Sequence, residues 1–129
     1  MTDFKHHWEV DADGYPTPRS LRSLRRYLDK LGPKETAVWL VHDFPKLVKT
    51  IEFPCVNVYK VENPGWVPFY RIEYSTAGWS GQESLIEVVL KSLSVRLCFY
   101  VAWRRGGHYT FEVHVPLVDG KNDGDAQSD

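Results

Sequence analysis

The chain is poor in the residues that name a chemistry by themselves. Two cysteines, Cys55 and Cys98, and a single methionine stand in 129 residues. Two thiols cannot staple a secreted mini-protein, and neither belongs to a C-x-x-C pair, so a disulfide framework and a zinc ribbon are excluded. The expectation is two reduced, partly buried thiols in a cytosolic protein. No apolar run approaches the roughly 18–20 residues of a membrane helix, and the start, Met1 to His7, lacks the basic-then-apolar profile of a signal peptide. Net charge is also scarce: 16 Lys+Arg against 17 Asp+Glu leave −1. That balance disfavours a strongly basic nucleic-acid scaffold and leaves local basic patches open.

Catalytic signatures are missing too. His6, His7, His42, His108 and His114 show no metal-ligand spacing. There is no P-loop and no G-x-G-x-x-G. Gly78-Trp79-Ser80-Gly81 is not a nucleophile elbow, because its second glycine comes one residue early. The expectation is a protein without catalytic activity, cofactor or metal.

Apolar residues are plentiful: 43% of the chain is hydrophobic and 14% aromatic, enough for one packed core. We expect a single domain over residues 1–118. Residues 119–129, rich in glycine and aspartate, read as a solvated acidic tail.

Residues up to Pro16 read as an irregular lead-in. Thr17-Pro18 is a helix start, a hydroxyl cap followed by a proline that needs no donor. Leu21, Leu24, Leu28 and Leu31 mark one face, and Gly32-Pro33 stops the run. Ala37–Val41 fits helix or strand by periodicity. Asp43-Phe44-Pro45 looks like a second cap-then-proline start, with Leu47, Val48 and Ile51 inward. Val56–Val61 and Phe69–Ser75 read as strands about an Asn63-Pro64-Gly65 turn. Ser80-Gly81-Gln82-Glu83 has the form of a capping box, followed by a stripe of Leu85, Ile86, Val89, Leu90 and Leu93. Val95–Arg105 and His108–Val115 read as a hairpin about Gly106-Gly107. The order α-α-β-β-α-β-β, without regular βαβ alternation, predicts an α+β fold: a mainly antiparallel four-stranded sheet with helices packed on one face.

The register of the last hairpin decides which side chains face outward. A two-residue loop pairs Arg105 with His108. A three-residue loop, Arg105-Gly106-Gly107, pairs Arg104 with His108 and gathers Leu97, Phe99, Val101 and Trp103 with Tyr109, Phe111, Val113 and Val115. Burial selects the second alignment, because a one-residue slip moves every side chain across the sheet. The opposite face then carries Arg96, Cys98, Tyr100, Ala102 and Arg104 beside His108, Thr110, Glu112 and His114. Tyr100 would lie across from Glu112, and Cys98 across from His114. This face is either solvated or a binding surface, since Tyr and Arg are side chains that interfaces favour. An enzymatic use would need a pocket where Glu112, His114, Tyr100 or Cys98 converge.

On the first helix Arg19, Arg22 and Arg26 project away from the leucines, with Arg25 on the flank. Positive charge in the first turns opposes the helix dipole, which points to an anion-facing stripe as the alternative to a solvated face. Arg104, Arg105, His108 and Tyr109, beside Trp103, form a second basic point able to grip phosphate or anchor a protein. The candidate partner-binding residues are therefore Arg19, Arg22, Arg26, Tyr100, Trp103, Arg104, Arg105, His108, Tyr109 and Glu112.

The segments from Ser75-Thr76-Ala77-Gly78-Trp79-Ser80-Gly81-Gln82-Glu83 to Ile86 and Trp103-Arg104-Arg105-Gly106-Gly107-His108-Tyr109-Thr110-Phe111 resemble a pattern in small uncharacterised phage and prophage proteins. There a T-G-G-W-S-G-N-E segment opening a helix precedes an R-G-G-H-Y hairpin. This sequence departs at Ala77, for glycine, and at Gln82, for asparagine. The resemblance implies an accessory protein of a phage or mobile element, acting in a bacterial cytoplasm. That origin, with this size and composition, fits host takeover or anti-defence inhibition and so a host or phage protein as partner. The arginine helix and the Arg104-Arg105 loop make nucleic acid the alternative, and no membrane partner is expected. The two motifs are expected to meet, Trp79 against Tyr109 and Glu83 near Arg104 or Arg105.

Overall fold

The computed structural model describes residues 4–119. Helix α1 (Pro18–Asp29) starts as its sequence requires: the Ser20 amide donates to Thr17 Oγ1 at 3.2 Å, and Pro18 stands where no donor is needed. Leu24 and Leu28 are buried, while Leu21 and Leu31 are half-buried. The lead-in lies against another side of this helix. The His7 and Glu9 amides donate to the hydroxyls of Ser23 and Ser20, and Trp8 Nε1 donates to Thr50 Oγ1 at 2.8 Å.

Gly32-Pro33 both stops α1 and starts α2 (Pro33–Val38). Ala37–Val41 is helical. A π-helical turn (Trp39–Asp43) joins α2 to α3 (Phe44–Thr50). Pro45 explains the widening: it has no N–H, and its ring crowds the carbonyl four residues back. One extra residue relieves the conflict, with the Phe44 amide reaching the Trp39 carbonyl. The chain is already helical at Asp43, whose side chain makes no capping bond.

Strands β1 (Val56–Val61) and β2 (Phe69–Ser75) have the expected bounds. With β3 (Tyr100–Arg104) and β4 (His108–His114) they form an antiparallel sheet in the order β1-β2-β4-β3. This is the expected α+β architecture. The inner face of the sheet packs on the helices: Phe44 meets Tyr74 and Phe111 edge-on at 5.2 and 6.0 Å, among buried Ile72, Val113, Leu47, Leu85 and Val89.

Helix α4 (Ser80–Val89) corrects the capping-box expectation. Trp79 is the cap residue and Ser80 already lies in the first turn, so its hydroxyl donates to Tyr15 Oη at 2.8 Å instead. Gln82 is fully buried. Its amide donates to the carbonyls of Val48 and Glu52, both at 3.1 Å, and its Oε1 lies 2.7 Å from the Tyr74 hydroxyl. The helix ends before Leu93, which is exposed rather than part of the apolar stripe.

The strand expected from Val95 begins five residues late. Val95–Phe99 is a second π-helical turn, with the Val95 amide donating to Ser92 Oγ. Residues 95, 97 and 99 alternate like a strand, but 95 and 99 also share one side of a helical turn. That turn buries Val95 and Phe99 and leaves Leu97 74% exposed. Val115 likewise leaves the sheet: α5 (Val115–Asp119) starts there, with the Val115 amide donating to the Pro68 carbonyl. Apart from Asp119, the expected acidic tail lies outside the described residues.

Candidate functional site

The hairpin has the three-residue loop: Arg104 faces His108, and Trp103 faces Tyr109. Gly106 and Gly107 both take positive φ, +94° and +79°, conformations that cost glycine little. Trp103 and Phe111 thus share a side of the ribbon. Beyond Ala102, opposite Thr110, the ladder shifts by one and Tyr100 faces Phe111. This bulge at Val101 overturns two expected neighbours. Tyr100 turns inward, 5.7 Å from the Phe111 ring, and does not face Glu112. Cys98 lies in the π turn and is not opposite His114 in the ladder. Val101, expected in the core, is 53% exposed instead.

The outer face of the sheet is consequently apolar at one end. Asn63, Trp66, Val67, Phe69, Val101 and His114, with Cys98 and Glu112, line a cleft of about 700 Å³. Trp66 is 76% exposed there, and Val67 is about half exposed. The turn Asn63-Pro64-Gly65 holds Trp66 over the sheet, its amide donating to the Asn63 carbonyl at 3.1 Å. Sequence reasoning missed Trp66, Val67 and Phe69. The available signal was a tryptophan beside a Pro-Gly turn, outside any apolar period.

The middle of this face is polar and internally matched. Arg71 Nε and Nη2 donate to Glu112 Oε2 at 3.1 and 3.0 Å, and Tyr59 donates to Glu73 at 2.9 Å. Hydrogen bonding with Tyr59 and then with Glu112 raises the Arg71 pKa and keeps the guanidinium charged. Glu112, a proposed contact residue, is thus committed to Arg71. At the opposite end, Arg104, His108 and Tyr109 line a smaller cleft of about 430 Å³ with Cys55, Glu73 and Ser75. Both cysteines are exposed, contrary to the expected partial burial.

The pocket that an enzymatic use would need is formed in part. Glu112, His114 and Cys98 do share the larger cleft, but Tyr100 is on the other face. No hydrogen bond joins Cys98 to His114, and no cluster of three metal-ligating side chains occurs, among the described residues.

The segments Ser75 to Ile86 and Trp103 to Phe111 meet, by a different contact from the one expected. The Thr76 amide donates to the Gly107 carbonyl at 3.0 Å, and the Thr76 side chain fills the space where Gly107 would carry a Cβ. Glu83 lies 3.4 Å from Thr76 Oγ1. Trp79 packs on Tyr15 and Phe53, at 5.1 and 5.2 Å, and not on Tyr109, which lies between Tyr74 and Tyr100. Ala77, standing for the pattern's glycine, takes φ +53°.

Arg19, Arg22, Arg25 and Arg26 are exposed on α1. Arg22, Arg25 and Arg26 line a groove of about 290 Å³ with Leu21, Val88 and Lys91. Val88 lies in the last turn of α4 and Lys91 in the turn that follows it, whereas the Arg104–Arg105 loop meets Thr76 ahead of the N-terminus of α4. The two basic points therefore do not form one surface. Trp103 is 55% exposed beside that loop, and Arg105 is exposed at its tip. No described protein family, curated protein or solved structure matches the chain.

Proposed function

We propose that this is a non-enzymatic binding protein whose outer sheet face seats an apolar anchor of a partner protein. The observation that carries the reading is the cleft that collects exposed Trp66, Val67 and Val101 over Phe69. Soluble monomers rarely leave such side chains contiguous, and buried tryptophan is a frequent anchor of protein interfaces. The matched pairs Arg71–Glu112 and Tyr59–Glu73 suit the rim of such a surface, where polar groups stay satisfied at little cost.

The likeness of the Thr76 and Gly107 segments to phage proteins supports a host or phage protein as partner. In that setting the protein would act in the bacterial cytoplasm as an accessory of host takeover or as an anti-defence inhibitor. A photo-crosslinking residue at Val67, introduced in bacterial cells, tests the surface. One discrete adduct is expected, lost in Val101→Asp and weakened at least about tenfold in Trp66→Ala. Absence of any adduct, or one indifferent to both substitutions, overturns the reading.

A further inference from the structure

We propose that the groove between α1 and α4 is a second binding site, which holds the phosphate backbone of duplex nucleic acid. Its lining comprises Arg22, Arg25, Arg26 and Lys91 over a floor of Leu21 and Val88. Lys91 adds charge from the turn that follows α4, so the groove is more than one side of α1. Asp29 engages Arg25 at 3.4 Å. Among the described residues, Arg22, Arg26 and Lys91 have no ion-pair partner, and neighbouring Glu87 on α4 pairs with none of them. Three unneutralised cations thus converge on one groove in a chain of net charge −1.

The chemistry of the lining selects the ligand. With Arg19, which lies on α1 outside the groove, Arg22 and Arg26 stand along about 10 Å of helix, the rise of some three base pairs. Guanidinium forks bond phosphate oxygens bidentately. The groove offers only cations and two aliphatic side chains, whereas protein interfaces are enriched in aromatic side chains around an apolar centre. The lack of an aromatic ring in that lining also removes the stacking platform that single strands require. What remains is sequence-independent contact with a regularly charged duplex. Helices cover the inner face of the sheet, so this site is remote from the Trp66 cleft and independent of it.

Fluorescence anisotropy with a labelled 20-base-pair random-sequence duplex and the full chain tests the proposal. Binding is expected at about 50 mM salt, with a log–log salt slope of about −3 to −4 and a loss on the order of 100-fold by 200 mM. Arg22→Glu/Arg26→Glu should abolish it. Lys91→Glu, just beyond the end of α4, should weaken it at least tenfold, and Trp66→Ala should leave it unchanged. No saturable binding at 50 mM salt overturns the proposal, as does binding that survives both charge reversals. Equal or tighter binding of poly-aspartate, or of the single strand, overturns it in favour of an acidic protein or a stacking site. The two aliphatic floor residues are untouched by these substitutions, and circular dichroism verifies that each variant is folded.

Discussion

Gly107 has a positive φ and no room for a side chain, because Thr76 occupies the position of its missing Cβ. Gly106 shares the backbone restriction but would meet only the His108 ring, at 3.3 Å. Gly107→Ala should therefore cost about 3 kcal/mol and Gly106→Ala about 1 kcal/mol, read by urea denaturation. Equal losses would remove the Thr76 contact as the cause. His6 presents the opposite case, a polar side chain enclosed by rings: Phe4 stacks at 5.7 Å, with Tyr27 at 5.1 Å and Trp8 at 6.1 Å. Burial lowers its pKa below 6.5, only partly opposed by the His7 carbonyl and Asp43. As pH falls below about 6.5 the unfolded chain takes up a proton that the folded chain resists, so stability from this residue declines with acidification and is constant above that range. Melting temperatures at pH 7.5 and 5.5 should diverge less in His6→Phe than in the parent protein. An unchanged difference would refute the assignment.

Among the elements, α4 is tied to the rest through Gln82. One side chain serves the carbonyl of Val48 in the last turn of α3, that of Glu52 just beyond it, and the Tyr74 hydroxyl on β2. Burial without these bonds would leave several polar groups orphaned. Gln82→Leu should cost on the order of 3 kcal/mol. The double variant with Tyr74→Phe should lose less than the sum of the single changes, because both delete one shared bond. Additive losses in chemical denaturation would dissolve the network. The strands at Val56–Val61 and Phe69–Ser75, and the leucine face of α1, were legible because side-chain pattern alone determines them. The π turn at Val95–Phe99 was not, since Val95 and Phe99 satisfy both a period of two, with Leu97 between them, and an i,i+4 spacing. Gln82 was read as part of a capping pattern, and its polarity concealed a core position.

For the molecule as a whole, the sheet order and the helical layer separate two surfaces: the outer cleft around Trp66 and the basic groove of α1 and α4. The three-residue hairpin loop followed from burial, and with it the side of Trp103. The bulge did not follow, because an extra residue within a strand has no compositional mark at Val101. That one residue exchanged the expected places of Tyr100 and Val101 and made the exposed end of the sheet apolar. Trp66 remained unread because loop side chains take their surroundings from distant strands. The same irregularity has a consequence for how molecules meet. β3 is a terminal strand of only five residues, and its kink breaks the spacing of amides and carbonyls along the open border. A neighbouring copy cannot zip onto such a border in continuous register, so fibre-like growth is blocked while individual side chains stay accessible to a chosen guest.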